Sequence, residues 1–178
     1  MNSIRRDLAA TAPADAPTAA LSHLLDELST LLEEIPSSVY CAPFVSSASG
    51  SIGEHVRHCL DHVAALVAAT PSMPLSYDSR NRGTRVETDP GTALQQIAML
   101  RSALAAWPGR AIDEPLVVSA VLAHSGRPMT TWSTLGRELA FVVNHTIHHQ
   151  AIIGVLLAVH GHAVPERFGH SPTTPTRH

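Results

Sequence analysis

The sequence predicts an all-α protein, an antiparallel four-helix bundle with a short β-hairpin between the third and fourth helices. Three observations carry that expectation. Four stretches repeat apolar residues at the three-and-four spacing of a helix face. Each is bounded by residues that start or stop helices. The one stretch with strand patterning, Pro115 to Thr131, is short and is broken by Ser125-Gly126. Four amphipathic helices in a chain of 178 residues fit a bundle around one core.

Residues 1–17 are rich in Ala, Pro and Thr and read as a disordered segment ahead of a single domain over 18–178. The first helix, Thr18 to Ile35, carries Leu21, Leu24, Leu25, Leu28, Leu31, Leu32 and Ile35 on one broad stripe, and Pro36 stops it. A Ser, Pro and Gly-rich connector follows, from Ser37 to Gly50. The second helix opens at Ser51, with Glu54 placed as its capping-box partner, and ends near Ala69 before Pro71. A long polar loop then leads to Asp89-Pro90, an N-cap followed by proline at the first helical position. The third helix runs from there through Leu94, Ile97, Leu100 and Leu104 to Trp107. After the hairpin segments PLVVSAVL and MTTWS, the fourth helix begins at Ser133 or Thr134 and stops at Gly161, a residue suited to the left-handed position after a helix.

The histidines are the chemical signal. His145 and His149 lie four residues apart in the long apolar fourth helix, so they project from one face, one turn above the other. The second helix brings His55, His58 and His62. Two apolar helices that both aim imidazoles inward can build a three-histidine metal site without any loop. Which histidine of the second helix completes it is left open by spacing. The apolar stripe runs through Ile52, Val56, Cys59, Val63 and Leu66. At about 100° per residue, His55 and His62 flank that stripe closely and His58 lies further round.

Composition narrows the function. The formal charge is −3 and the pI is near 6.4, which gives no basic footprint for a nucleic acid. All 12 basic residues are Arg. The absence of Lys excludes a Schiff-base lysine, a lysine general base and the phosphate-gripping lysine of a P-loop. The longest apolar run, AIIGVLLAV, is too short to span a bilayer, so no membrane association is expected. Arg5 and Arg6 are followed by no apolar stretch, unlike a secretory signal. Cys41 and Cys59 alone make no disulfide framework, and a cytoplasmic location is expected.

The phrase SIGEHVRHCLDH resembles the second helix of the DinB-like (DinB/YfiT) superfamily, where a Ser-x-Gly-x4-His pattern ends in a metal-binding histidine; here it runs Ser51, Gly53, His58. NHTIHHQAI resembles the His-x3-His motif of the same superfamily and falls on His145 and His149. YDSRNRG and VPERFGHSPTT look like segments of a DinB-like subgroup. The resemblance spans the chain from the first helix to Gly161. It implies a metal triad of His58, His145 and His149, with His55, His62 and His148 as spare imidazoles. It also implies relatives that use low-molecular-weight thiols such as mycothiol or bacillithiol in transferase or isomerase reactions, and others in ergothioneine synthesis.

Three neutral imidazoles suit Zn, Ni or Fe(II) and leave positions open for water and a small-molecule substrate. Glu138, seven residues before His145 on the same face, is a candidate to orient an imidazole or act as a general base; the alternative is a solvent-facing charge at a helix start. His148 is a candidate pocket group. Arg80 and Arg82, in the polar loop 77–89, are candidates for gripping a carboxylate or phosphate. His124, His160, His162, His170 and His178 sit in turns or tails and are expected to be solvated. Three classes follow: a metal-dependent, thiol-using enzyme; a metal-binding protein without catalysis; and a helical interaction module with structural histidines. The leucine stripe of the first helix is broad enough for a core and a neighbour, so a homodimer is expected.

Overall fold

Helix starts in this chain follow local chemistry. In the computed structural model, which describes residues 17–43, 50–79, 82–107, 110–124 and 126–175, the elements in order are α1 (Pro17–Glu34), α2 (Ser37–Tyr40), α3 (Ile52–Val67), a 3-10 turn (Arg85–Glu87), α4 (Pro90–Ala105), β1 (Pro115–Ala120), β2 (Met129–Thr134) and α5 (Leu135–Val159). Ser51 caps α3 with the full reciprocal box: its hydroxyl accepts from the Glu54 amide, and the Glu54 carboxylate accepts from the Ser51 amide at 2.6 Å. Asp89 caps α4 by accepting from the Gly91 amide, and Thr134 caps α5 by accepting from the Arg137 amide. Gly161 takes φ +75 just beyond α5, as its place after the last turn predicts.

The fold is helical with one two-stranded antiparallel hairpin, in which Pro115 pairs with Thr134 and Ala120 with Met129. β2 passes directly into α5. α5 packs against α1 and α3, and α4 packs against the same two helices. The core between them includes Leu25 and Leu28 from α1, Val63 and Leu66 from α3, Ile97 from α4, and Val142 and Ile153 from α5. Gln150, fully buried, ties α5 to α1 by donating to the Leu24 carbonyl at 3.0 Å. Cys59 is core packing, as its place on the apolar side implies, and burial pushes its thiol up to about 12.

Several expectations change. The connector after α1 contains the one-turn helix α2, too short for a periodic signal. α4 ends at Ala105, two residues before Trp107. The polar loop is docked, because Leu75 bridges β1 in parallel through the Val117 carbonyl and the Ser119 amide, and Asp78 accepts from the Val121 amide at 2.7 Å. The leucines of the α1 stripe are buried within the chain, which leaves that stripe no surface for a neighbour. α5 as a whole is long and apolar enough, by length and composition, to cross a membrane, although no single apolar run in it is. Its apolar side faces α1 and α3. The N-terminal segment 1–16, Ser125 and His178 lie outside the described residues.

Gly53 holds the 3-10 turn against α3. A Cβ there would meet the Glu87 carbonyl oxygen at 2.0 Å and the Tyr40 ring at 2.7 Å. The Tyr40 hydroxyl donates to the Val86 carbonyl at 2.5 Å, and burial, its largest cause, raises its pKa above the usual phenol range. Arg57, buried on α3, binds Asp61 at 2.5 Å and the Glu87 carboxylate, which also accepts from the Gly83 amide. Gly53→Ala should therefore destabilise the fold by about 1–3 kcal/mol or more, the usual scale of overpacking. Urea unfolding checks this, and an unchanged midpoint would contradict the close approach.

Candidate metal centre

α3 and α5 run side by side and turn imidazoles toward each other across their seam. His58 Nε2 and His145 Nε2 are 2.9 Å apart. His58, His62 and His145 each offer one ligating nitrogen, and the three lie within 4.8 Å of one another. His62 is buried, and the other two are half-buried. The His62 Nδ1–H donates to the His58 carbonyl at 2.9 Å. A carbonyl can only accept, so that bond places the proton on Nδ1 and leaves the lone pair on Nε2.

Of the sequence triad, His58 and His145 thus come together with His62. His149 packs its ring on both, with centroids 4.5 Å from His58 and 4.6 Å from His145. Its Nδ1 meets the Nδ1 of His55 at 2.9 Å. Burial, aided by the charges of His145 and His55, pushes the His149 pKa down to about 3, so this imidazole is neutral at pH 7. His148 is exposed and touches only the edge of the His149 ring at 5.4 Å among its ring contacts.

The donor set fits a divalent transition metal. Two imidazole nitrogens bound to one ion at about 2.0–2.1 Å stand roughly 2.9–3.4 Å apart for right-angled to tetrahedral coordination. The His58–His145 spacing already falls in that range. Neutral nitrogen donors suit Zn, Ni or Fe(II).

Aromatic rings wall the cluster. His62 stacks on Tyr77 with centroids 5.0 Å apart, and His145 stacks on Phe141 at 5.6 Å. Glu138 is only 3% exposed, so the solvent-facing reading of this residue is corrected. Its carboxylate accepts from the Tyr77 hydroxyl at 2.9 Å, from the Ser133 hydroxyl at 2.6 Å and from Arg137 at 3.3 Å. These donors compensate a buried charge. Burial first, and the Glu138 charge second, raise the Tyr77 hydroxyl above the usual phenol range. Glu138 is thus linked to the cluster through Tyr77, whose ring stacks on His62. Tyr77 and Phe141 escaped the sequence reading; in a chain with 4% aromatics, their scarcity was the available signal.

Arg82 is exposed, and Arg80 lies outside the described residues. Arg85 pairs with Asp89 at 3.1 Å on the surface, and Glu87 is taken by Arg57. A cavity of about 450 Å³ lies elsewhere, between α1, α5 and the tail that follows α5, lined by Leu24, Val143, Ile147 and Arg167 among others. The Nε2 of His160 is buried, contrary to the solvated tail expected of it.

Comparison with known proteins gives the same neighbourhood. The DinB superfamily profile matches residues 20–153, which include every histidine of the seam. "FK506-binding protein 5" of Rhizopus delemar is 34% identical over 101 residues, covering 56% of this chain. The match spans 26% of that protein's length. No solved structure matches the chain.

The low pKa of His149 has a consequence for stability in metal-free protein. The folded imidazole stays neutral down to about 3, whereas the unfolded one takes up a proton near ~6.5. The unfolded state thus binds more protons between those values, and stability rises with pH there. This contribution is complete above ~6.5 and is lost as pH falls toward 3. Thermal melts of the metal-free chain should fall between pH 7 and 5, and His149→Phe should flatten part of that slope. Parallel slopes for the two proteins would contradict the burial argument.

Proposed function

The chain belongs to the DinB superfamily, and from that premise we propose that it holds one divalent transition metal between α3 and α5 and presents it to a small molecule. The observation that carries this reading is the set of three imidazole nitrogens within 4.8 Å of one another. His58 and His145 would hold the ion, with His62 or His149 completing the triad, within a four-helix bundle formed by α1, α3, α4 and α5. A bound ion would supply Lewis acidity to a water, a thiol or a carbonyl. Tyr77 and Phe141 exclude water from one side of the cluster and fix the faces of His62 and His145. Glu138 keeps Tyr77 in place.

The activity we infer is a thiol-dependent transfer or isomerisation on a small molecule, in a cytoplasmic protein that acts without nucleic acid or membrane and assembles as a homodimer. With the α1 stripe buried, the dimer would rest on exposed apolar side chains such as Trp132, 77% exposed, and Met129. A second reading is a helical protein whose imidazoles only bond one another, as the 2.9 Å contacts permit. Elemental analysis separates the two.

Protein purified without a His-tag or chelating column should carry close to one transition metal per chain. His58→Ala and His145→Ala should each abolish that content, since loss of one ligand from three leaves an incomplete sphere. Unchanged content in both variants would favour the structural reading. Binding should also weaken as pH falls toward ~6, because imidazole must be neutral to ligate. Turnover of electrophilic small molecules with added mycothiol or bacillithiol tests the catalytic half, and a metal-loaded protein inert toward both would reject it.

His62→Ala and His149→Ala test the remaining ligand. The larger loss of metal affinity identifies the resident third imidazole. Equal and negligible losses would contradict a three-histidine centre.

A further inference from the structure

His55 is a histidine of the seam for which neither the sequence triad nor the close trio has a use. Its Nδ1 nevertheless meets the Nδ1 of His149 at 2.9 Å, with the two rings 5.1 Å apart and tilted by 39°. We propose that His55 is a positioning residue that decides whether His149 can serve the ion, by fixing which nitrogen of His149 carries the proton. This inference rests on the metal reading given above.

A hydrogen bond between two neutral imidazole nitrogens needs one donor and one acceptor. When His149 donates from Nδ1, its lone pair is on Nε2, and that nitrogen is available for an ion shared with His58 and His145. When His55 donates instead, His149 carries its proton on Nε2 and cannot ligate. The ring of His149 borders those of His58 and His145, so the nitrogen that carries its proton decides whether a lone pair is available beside the trio. His62 has no such choice, because its Nδ1 faces a carbonyl that enforces the ligating tautomer. The seam therefore holds an imidazole whose tautomer is fixed by the backbone and, beside the His58–His145 pair that meets nitrogen to nitrogen at 2.9 Å, an imidazole whose tautomer is shared with His55. Partners of this kind are worth about 10–100-fold in metal affinity when removed.

Co(II) added to untagged protein tests this, with affinity read by chelator competition and coordination read from the visible d–d bands. His55→Phe keeps a ring against His149 and removes the nitrogen. It should lower Co(II) affinity about 10–100-fold and change the d–d spectrum. His55→Glu supplies an acceptor for the His149 Nδ1–H and should restore most of the affinity. Far-UV circular dichroism confirms that both variants are folded, and His55→Leu replaces His55→Phe should the latter not fold. Unchanged affinity and spectrum in His55→Phe, while His58→Ala removes binding, would overturn the role of His55 and leave the metal centre standing. A loss that His55→Glu fails to reverse would overturn the hydrogen bond as its cause. Wild-type protein that binds no Co(II) would overturn the metal reading itself, and this inference with it.

Discussion

Imidazoles placed between two packed helices have to find partners for nitrogens that water reaches only in part, and the seam of α3 and α5 is organised around that requirement. A buried polar group without a hydrogen bond costs roughly 1–3 kcal/mol in proteins. Here the histidines meet that cost in three ways: nitrogen to nitrogen across the seam, nitrogen to the carbonyl one turn back, and ring to ring. The two 2.9 Å contacts join α3 to α5 beside the apolar core that packs the same helices. The arrangement also concentrates neutral nitrogen donors in one place, which is what a transition metal needs.

The rest of the structure supports that seam. Gly53 and Arg57 bind the 3-10 turn to α3, and the segment before that turn brings Tyr77 onto the ring of His62. Glu138, in the first turn of α5, lies where a helix start favours a negative charge. Its bonds to Tyr77 and Ser133 link the loop, the end of β2 and α5 at one carboxylate. The Ser-x-Gly part of the α3 motif thus has a structural basis in this chain: Ser51 caps the helix, and Gly53 admits the Glu87 backbone.

Much of this was legible in the sequence where the determinants are local. The caps at Ser51 and Asp89, the helix start near Ser133 or Thr134, the leucine face of α1 and the hairpin that opens at Pro115 depend on neighbours within a few residues. The same holds for the stacking of His145 and His149 on one face of α5. What was not legible depends on how distant segments meet. Tyr77 and Glu138 are 61 residues apart, Arg57 and Glu87 are 30 apart, and no periodicity links them. The histidines of α3 show the boundary. A helical wheel placed His62 beside the apolar stripe, and it is indeed buried, while the resemblance pointed to His58, which faces His145. Both readings describe part of one cluster, because the site lies at the edge of the stripe, where α3 turns from core to seam.

X-ray absorption at the metal edge of the Zn- or Co-loaded protein tests the central claim most directly, since it counts imidazoles around the ion without reference to any activity. The account predicts a first shell with at least three imidazole nitrogens at about 2.0–2.1 Å and the outer-shell scattering of their rings. A shell of oxygen donors with one imidazole or none would contradict it.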